Sequence, residues 1–200
     1  MSGLRCFVAL ELEPHIVAAL LEAGSALRAT DSSWRDEKWA AEQNLHITLT
    51  FMGTLAEERI EALANTLGAA VAEQTAFRMR LASVRPLPSI RRCSMAWATF
   101  DDAENRACET LASRVEAVAA QFDAAPDDHQ FSPHVTLVRA RRPHRLDPNA
   151  IASANEALTC TTPSMSVPSA TLFASTLTRQ GPIYERLARW DFSGADSAAN

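Results

Sequence analysis

Only 6 glycines occur among 200 residues, and no apolar run approaches the roughly 18 residues needed to span a bilayer. Met1 to Arg5 leads into no long apolar segment closed by a small-residue cleavage site. A membrane span and a secretory signal are therefore not expected, and the reading is a cytoplasmic protein. The four cysteines, Cys6, Cys93, Cys108 and Cys160, form no C-x-x-C pair, which argues for reduced, mostly buried thiols over a disulfide framework. An excess of positive charge is also missing. At a net charge of −5, long unselective contact with a nucleic-acid backbone is not suggested, so any recognition of phosphate must be local.

With 47% hydrophobic and 22% charged residues, the chain has the composition of a compact domain with a sizeable core. Arg5 to Leu12 suits a buried strand, and Pro14 opens a helix in which Ile16, Ala19, Leu20, Ala23 and Leu27 share one face. Leu45 to Phe51 alternates in strand fashion and is expected to stop at Met52-Gly53. A second amphipathic helix follows over Glu57 to Glu73, then strands at Phe77 to Val84 and Cys93 to Phe100 around a turn at Pro86 to Ser89. Asp101 and Asp102 favour the start of a third helix that buries Leu111, Val115, Val118 and Ala119. Pro126 to Gln130 is a polar turn, Pro133 to Val138 a strand, and Pro148 to Leu158 a short helix. Ser164 to Thr178 forms one or two strands broken by Pro168, and Gly181-Pro182 turns into Ile183 to Trp190. No linker separates independent units. The expectation is one domain over 1–192 with a frayed tail from Ser193 to Asn200.

Two tetrapeptides share a form: His46-Ile47-Thr48-Leu49 and His134-Val135-Thr136-Leu137, 88 positions apart. With 5 His, 15 Thr and 20 Leu in the chain, about 0.04 copies of H-x-T-L are expected by chance. The two-residue period of a strand sets His and Thr side by side on one face, while Ile47 or Val135 turns to the core. Two such edges facing across a cleft would supply two imidazoles titrating near neutrality and two hydroxyl donors for phosphate oxygens. Cleavage of a cyclic phosphodiester needs a base to activate water and an acid to protonate the departing oxygen. Two histidines meet that need without a metal or a cofactor.

The paired motifs resemble those of the 2H phosphoesterase superfamily, and within it the RNA 2′,3′-cyclic phosphodiesterases, historically called 2′-5′ RNA ligases. The likeness extends over nearly the whole chain. It includes R-x-F-V-A-L (Arg5, Phe7 to Leu10), N-L-H-I-T-L-x-F-x-G (Asn44 to Gly53), F-S-P-H-V-T-L-x-R (Phe131 to Arg139) and S-x-L-x-x-x-G-P-x-Y (Ser175 to Tyr184). The resemblance implies an α+β, bilobal fold: two pseudo-symmetric lobes of antiparallel sheet, helices on the outside and one H-x-T motif from each lobe in a central cleft. It further implies hydrolysis of a 2′,3′-cyclic phosphate end to a 2′-phosphate, with His46 as proton donor, His134 as proton acceptor, and Thr48 and Thr136 holding the phosphate. Reverse 2′-5′ ligation is open to the same pair. The implied partner is RNA with a 2′,3′-cyclic phosphate terminus, tRNA fragments included, or a small cyclic nucleotide, and the protein is expected to be a monomer without membrane contact.

Phe7, Arg139 and Tyr184 are further candidates for substrate contact, and Phe7, Trp39 and Tyr184 could stack on a nucleobase, although core packing also suits Phe7. Counting by two from His134 reaches Thr136 and Val138, so Arg139 joins that face only if a bulge intervenes. Arg139, Arg141, Arg142, His144 and Arg145 form the most basic stretch, either a solvated loop or a guide for an RNA end. His15, His129 and His144 read as solvated surface residues. A metal-dependent phosphohydrolase is the chemical alternative, but neither motif histidine has a second His, Asp, Glu or Cys at i+2 or i+4. A non-catalytic module that binds RNA ends or nucleotides is the alternative of a different class.

Overall fold

The computed structural model describes residues 3–102, 106–124, 130–159, 163–179 and 181–194. The amino-terminal apolar run forms β1 (Gly3–Glu11), buried from Cys6 to Leu10 because strands cover both its edges. Pro14 occupies the first turn of α1 (Pro14–Thr30), where its missing N–H costs nothing, and Ile16, Leu20, Ala23 and Leu27 form the buried stripe. Then follow β2 (Lys38–Trp39), β3 (His46–Ala56), α2 (Ile60–Val71), β4 (Phe77–Leu87), β5 (Cys93–Asp101) and α3 (Ala107–Gln121). The remainder is β6 (His134–His144), α4 (Pro148–Thr159), β7 (Ser164–Val167), β8 (Ser169–Thr178) and β9 (Gly181–Asp191). The Asp102 carboxylate accepts the Cys108 N–H at 2.5 Å, which is the acidic helix start expected there.

Two antiparallel sheets result, in the orders β3-β1-β8-β9 and β2-β6-β5-β4-β7. The resulting fold is the bilobal α+β architecture. Its pseudo-symmetry lies in the pairing: β3-β1-β8 in one sheet matches β6-β5-β4 in the other, and each H-x-T strand is paired to the strand that begins its own half. The halves exchange strands. β4, which follows the first half, joins the second sheet, and β8, which follows the second, joins the first. Helices repeat the relation, with α1 packed on α4 and α2 on α3. One continuous hydrophobic core joins the helices to both sheets.

Three expectations need correction. β3 does not stop at Met52-Gly53; it continues to Ala56 through a bulge, in which Met52 has no partner on β1 and Gly53 takes a φ of 73°. The basic stretch expected as a loop is the continuation of β6 through His144. His144 is not a solvated side chain, since its ring stacks on buried Trp34 at 4.4 Å and meets the Glu37 carboxylate. Cys6, Cys93 and Cys108 are free and buried, and burial pushes all three thiols up. The expected tail begins with Ser193, whose N–H donates to the Gln74 carbonyl at 2.9 Å and whose carbonyl accepts the Ala76 N–H. Cys160, His129, most of the expected 126–130 turn and residues 195–200 lie outside the described residues.

Candidate active site

β3 and β6, the two H-x-T strands, approach each other where the sheets meet. Strand alternation buries Ile47 and Leu49 on one side of β3 and leaves His46 and Thr48 half-exposed on the other; β6 does the same with Val135 against His134 and Thr136. The two histidines are held alike. His46 Nδ1 donates to the Asn44 carbonyl and His134 Nδ1 to the Ser132 carbonyl, both at 2.8 Å. A carbonyl oxygen only accepts, so each Nδ1 carries a hydrogen, and in the neutral ring Nε2 bears the lone pair that takes a proton.

Each imidazole also lies against an aromatic ring from the neighbouring strand. Phe7 stacks on His46 at 4.9 Å between centroids, and Trp97 stacks on His134 at 3.5 Å with the planes 15° apart. Tyr184 from β9 meets His46 edge-on at 5.3 Å and Phe7 at 4.9 Å. Phe7 is thus both a core residue and the platform under a candidate catalytic ring. His46 is lowered from an ordinary 6.5 to about 4, chiefly by burial and also by the charge of His134, while the hydrogen bond to the Asn44 carbonyl opposes the shift. The two rings are therefore electrostatically coupled across the junction of the sheets.

Arg139 reaches this face through a bulge. Trp97 is paired with Thr136 but Ala96 with Val138, so Leu137 is the extra residue, and its carbonyl accepts the Ala40 N–H at 2.9 Å. Leu137 and Val138 are consequently both buried, and Arg139, paired with Met95, returns to the side of Thr136 and His134. Its Nη1 lies 3.5 Å from the Met95 sulfur. On the other sheet, Arg5 and Tyr184 both pair with Ser175 of β8, so the three side chains form one rung on the Phe7 face. Burial pushes the Tyr184 phenol up, while the guanidinium groups of Arg5 and Arg139 oppose that shift. A groove of about 590 Å³ opens beside His46, bounded among others by Glu42, Gln43, Phe173, Ile183 and Tyr184.

His46, His134, Thr48, Thr136, Phe7, Arg139 and Tyr184 therefore lie on the facing sides of the two sheets, whereas the Trp39 ring packs under Arg28 of α1 at 4.5 Å and its Nε1 donates to the Trp34 carbonyl at 2.8 Å. Trp97 and Arg5 were not singled out. Trp97 had a faint signal, since Met95, Trp97 and Thr99 alternate with apolar Ala96, Ala98 and Phe100 and so face away from the core. Among the described residues, no three His, Cys, Asp or Glu side chains converge as a metal site would require, and no helix is long and apolar enough to cross a membrane.

Comparison with known proteins agrees with this architecture. The protein of Thermus thermophilus named RNA 2′,3′-cyclic phosphodiesterase is 29% identical over 197 residues, 96% of this chain and 91% of its own. Those of Aeropyrum pernix and Escherichia coli bearing the same name are 29% and 28% identical, over 75% and 93% of this chain and 83% and 95% of theirs. A crystal structure from Thermus thermophilus superposes with a TM-score of 0.73 at 26% identity, covering 96% of this chain and 99% of that one. Escherichia coli LigT in apo form superposes at 0.68 with 24% identity over 96% and 99% of the two chains, which shows the shared fold. The model of one protein family matches residues 14–173 and takes in both H-x-T strands, so the chain belongs to the 2′-5′ RNA ligase superfamily.

Proposed function

We propose that this protein is an RNA 2′,3′-cyclic phosphodiesterase that opens the terminal cyclic phosphate to a 2′-phosphate by acid and base catalysis from His46 and His134. The carrying observation is the duplicated geometry: two imidazoles on facing strands, each with Nδ1 tied to a carbonyl two residues back, which fixes the same tautomer in both rings and makes Nε2 the proton-exchanging atom. The shared name of the relatives supports the substrate class. Water attacks phosphorus while His134 Nε2 takes its proton; the bond from phosphorus to O3′ breaks, and His46 Nε2 delivers a proton to that oxygen. Thr48 and Thr136 donate hydrogen bonds to the non-bridging oxygens, and Arg139 and Tyr184 line the same face. The donor set suits a reaction that needs no metal, and turnover is expected to survive a chelator. With a ribose 5′-hydroxyl replacing water as the nucleophile, the same groups would form a 2′-5′ link: the oxygen bonds to phosphorus, its proton goes to the base, and the bond to O3′ breaks as that oxygen is protonated.

The lowered His46 speaks to the division of roles. At about 4 this ring is neutral at pH 7, so as a donor it requires the negative charge of a bound phosphate to raise it. The opposite assignment, His46 as base and the more open His134 as acid, is favoured by that same depression. Leaving-group chemistry separates the two. His46→Ala and His134→Ala should each lower turnover of a nucleoside 2′,3′-cyclic phosphate by about 10² to 10⁴ with the fold retained. On a p-nitrophenyl phosphodiester, whose leaving group needs no proton, the loss should shrink only for the variant lacking the acid. Near-normal turnover of the cyclic substrate by either variant would refute the two-histidine mechanism.

A further inference from the structure

The chain carries more acids than bases, 24 Asp and Glu against 19 Lys and Arg, and many of its arginines are paired with carboxylates. Arg59 meets Asp123, Arg80 meets Asp101, Arg106 meets Glu109, and Arg186 and Arg189 share Glu11. One region departs from this. At the outer end of the second sheet, Lys38, Arg91, Arg92, Arg141, Arg142 and Arg145 are all exposed, and among the described residues none has a carboxylate partner. Glu37, next to Lys38 in the chain, is already engaged by His144 and by the backbone N–H of Arg141 at 2.6 Å. Asp36 is exposed beside Arg35.

The backbone gathers these cations into one surface continuous with the cleft. Lys38 pairs directly with Arg139, so two like charges stand opposite each other on the side that holds Thr136 and His134. Such a pair opposes sheet formation unless an anion lies over it. Further along β6, His144 pairs with Cys93, and the Leu146 N–H donates to the Ile90 carbonyl at 2.9 Å, which sets the 3-10 turn Ile90–Arg92 beside the exposed Arg145. Same-side positions on a strand recur every ~6.8 Å, close to the step between consecutive phosphates of an extended single strand. A protein partner would require apolar anchors, but the large exposed apolar residues, Phe51, Leu177 and Ile183, all belong to the other sheet.

We propose that this surface, from Lys38 across β6 to Arg91 and Arg92, binds the phosphates of the nucleotides preceding the cyclic end, which makes an oligoribonucleotide the preferred substrate over a free cyclic nucleotide. The assignment rests on the proposed activity for its orientation but not for its test. The probe is a 5′-labelled octaribonucleotide ending in a 2′-phosphate, titrated by fluorescence anisotropy at several salt concentrations. Contact with three phosphates predicts a slope of log affinity against log salt of about −2, at roughly −0.7 per phosphate. Arg141→Ala with Arg142→Ala should raise Kd about tenfold and flatten that slope by about 1.4, while hydrolysis of a nucleoside 2′,3′-cyclic phosphate changes less than twofold. Arg91→Ala with Arg92→Ala should act in the same direction. Wild-type affinity and slope in both double variants would overturn the proposal. A wild-type protein that binds the octamer in this salt-dependent way yet hydrolyses no cyclic phosphate would instead overturn the activity and leave the surface standing.

Discussion

His46 shows how a single ring links site chemistry to stability. Its ordinary value of 6.5 falls to about 4 in the fold, chiefly through burial, so between those values the unfolded chain binds a proton that the folded one does not. Stability is then whole above the unfolded value and declines as pH falls from 6.5 towards 4, by about 3 kcal/mol at most from this residue. Urea unfolding at pH 7 and pH 4.5 should show the decline in wild type and a smaller one in His46→Gln; equal declines would contradict a buried neutral ring. Trp97 is a positioning residue, since it touches the face of His134 and not the reacting atoms. Trp97→Ala should lower kcat about tenfold with little change in KM, and Trp97→Phe should restore most of it. The histidines and threonines were legible because a duplicated polar motif inside apolar strands has no packing rationale. Trp97 and Arg5 were not, because a single aromatic or cation in a strand carries no mark of which strand will lie beside it.

Strand irregularities do as much for the site as the strands themselves. The extra residue at Leu137 turns Arg139 from the core side to the cleft side, and the one at Met52 buries that side chain while Phe51 is left 54% exposed. Counting by two in the sequence stated the condition for Arg139 but could not meet it, since a bulge is defined by the partner strand. Gly53 was visible as punctuation and read as a strand end, although its φ of 73° is what allows β3 to continue. A Cβ at Gly53 would meet no atom within 4 Å, so Gly53→Ala tests the backbone alone. It should cost about 1–2 kcal/mol in urea or thermal unfolding, and an unchanged midpoint would mean that the bulge accepts other conformations.

In the whole molecule, neither half is closed by its own strands, because β8 completes the first sheet and β4 the second. Unfolding should accordingly be one transition. Tryptophan emission in a Trp190→Phe background, which leaves Trp34, Trp39 and Trp97 in or beside the second sheet, and far-ultraviolet circular dichroism over both sheets should give coincident midpoints, and two separated steps would refute the coupling. The order of most helices and strands and the residues of the two motifs followed from the sequence, since hydrophobic periodicity and a rare repeated tetrapeptide are local properties of a chain; the α+β class followed from the family resemblance those motifs carry, and the two-residue β2 is too short to show a period. The exchange of strands between halves, the rings beneath the histidines, the depressed proton affinity of His46 and the unpaired cations beside β6 are relations between segments distant in sequence. Burial and proximity create those relations, and only the folded backbone specifies burial and proximity.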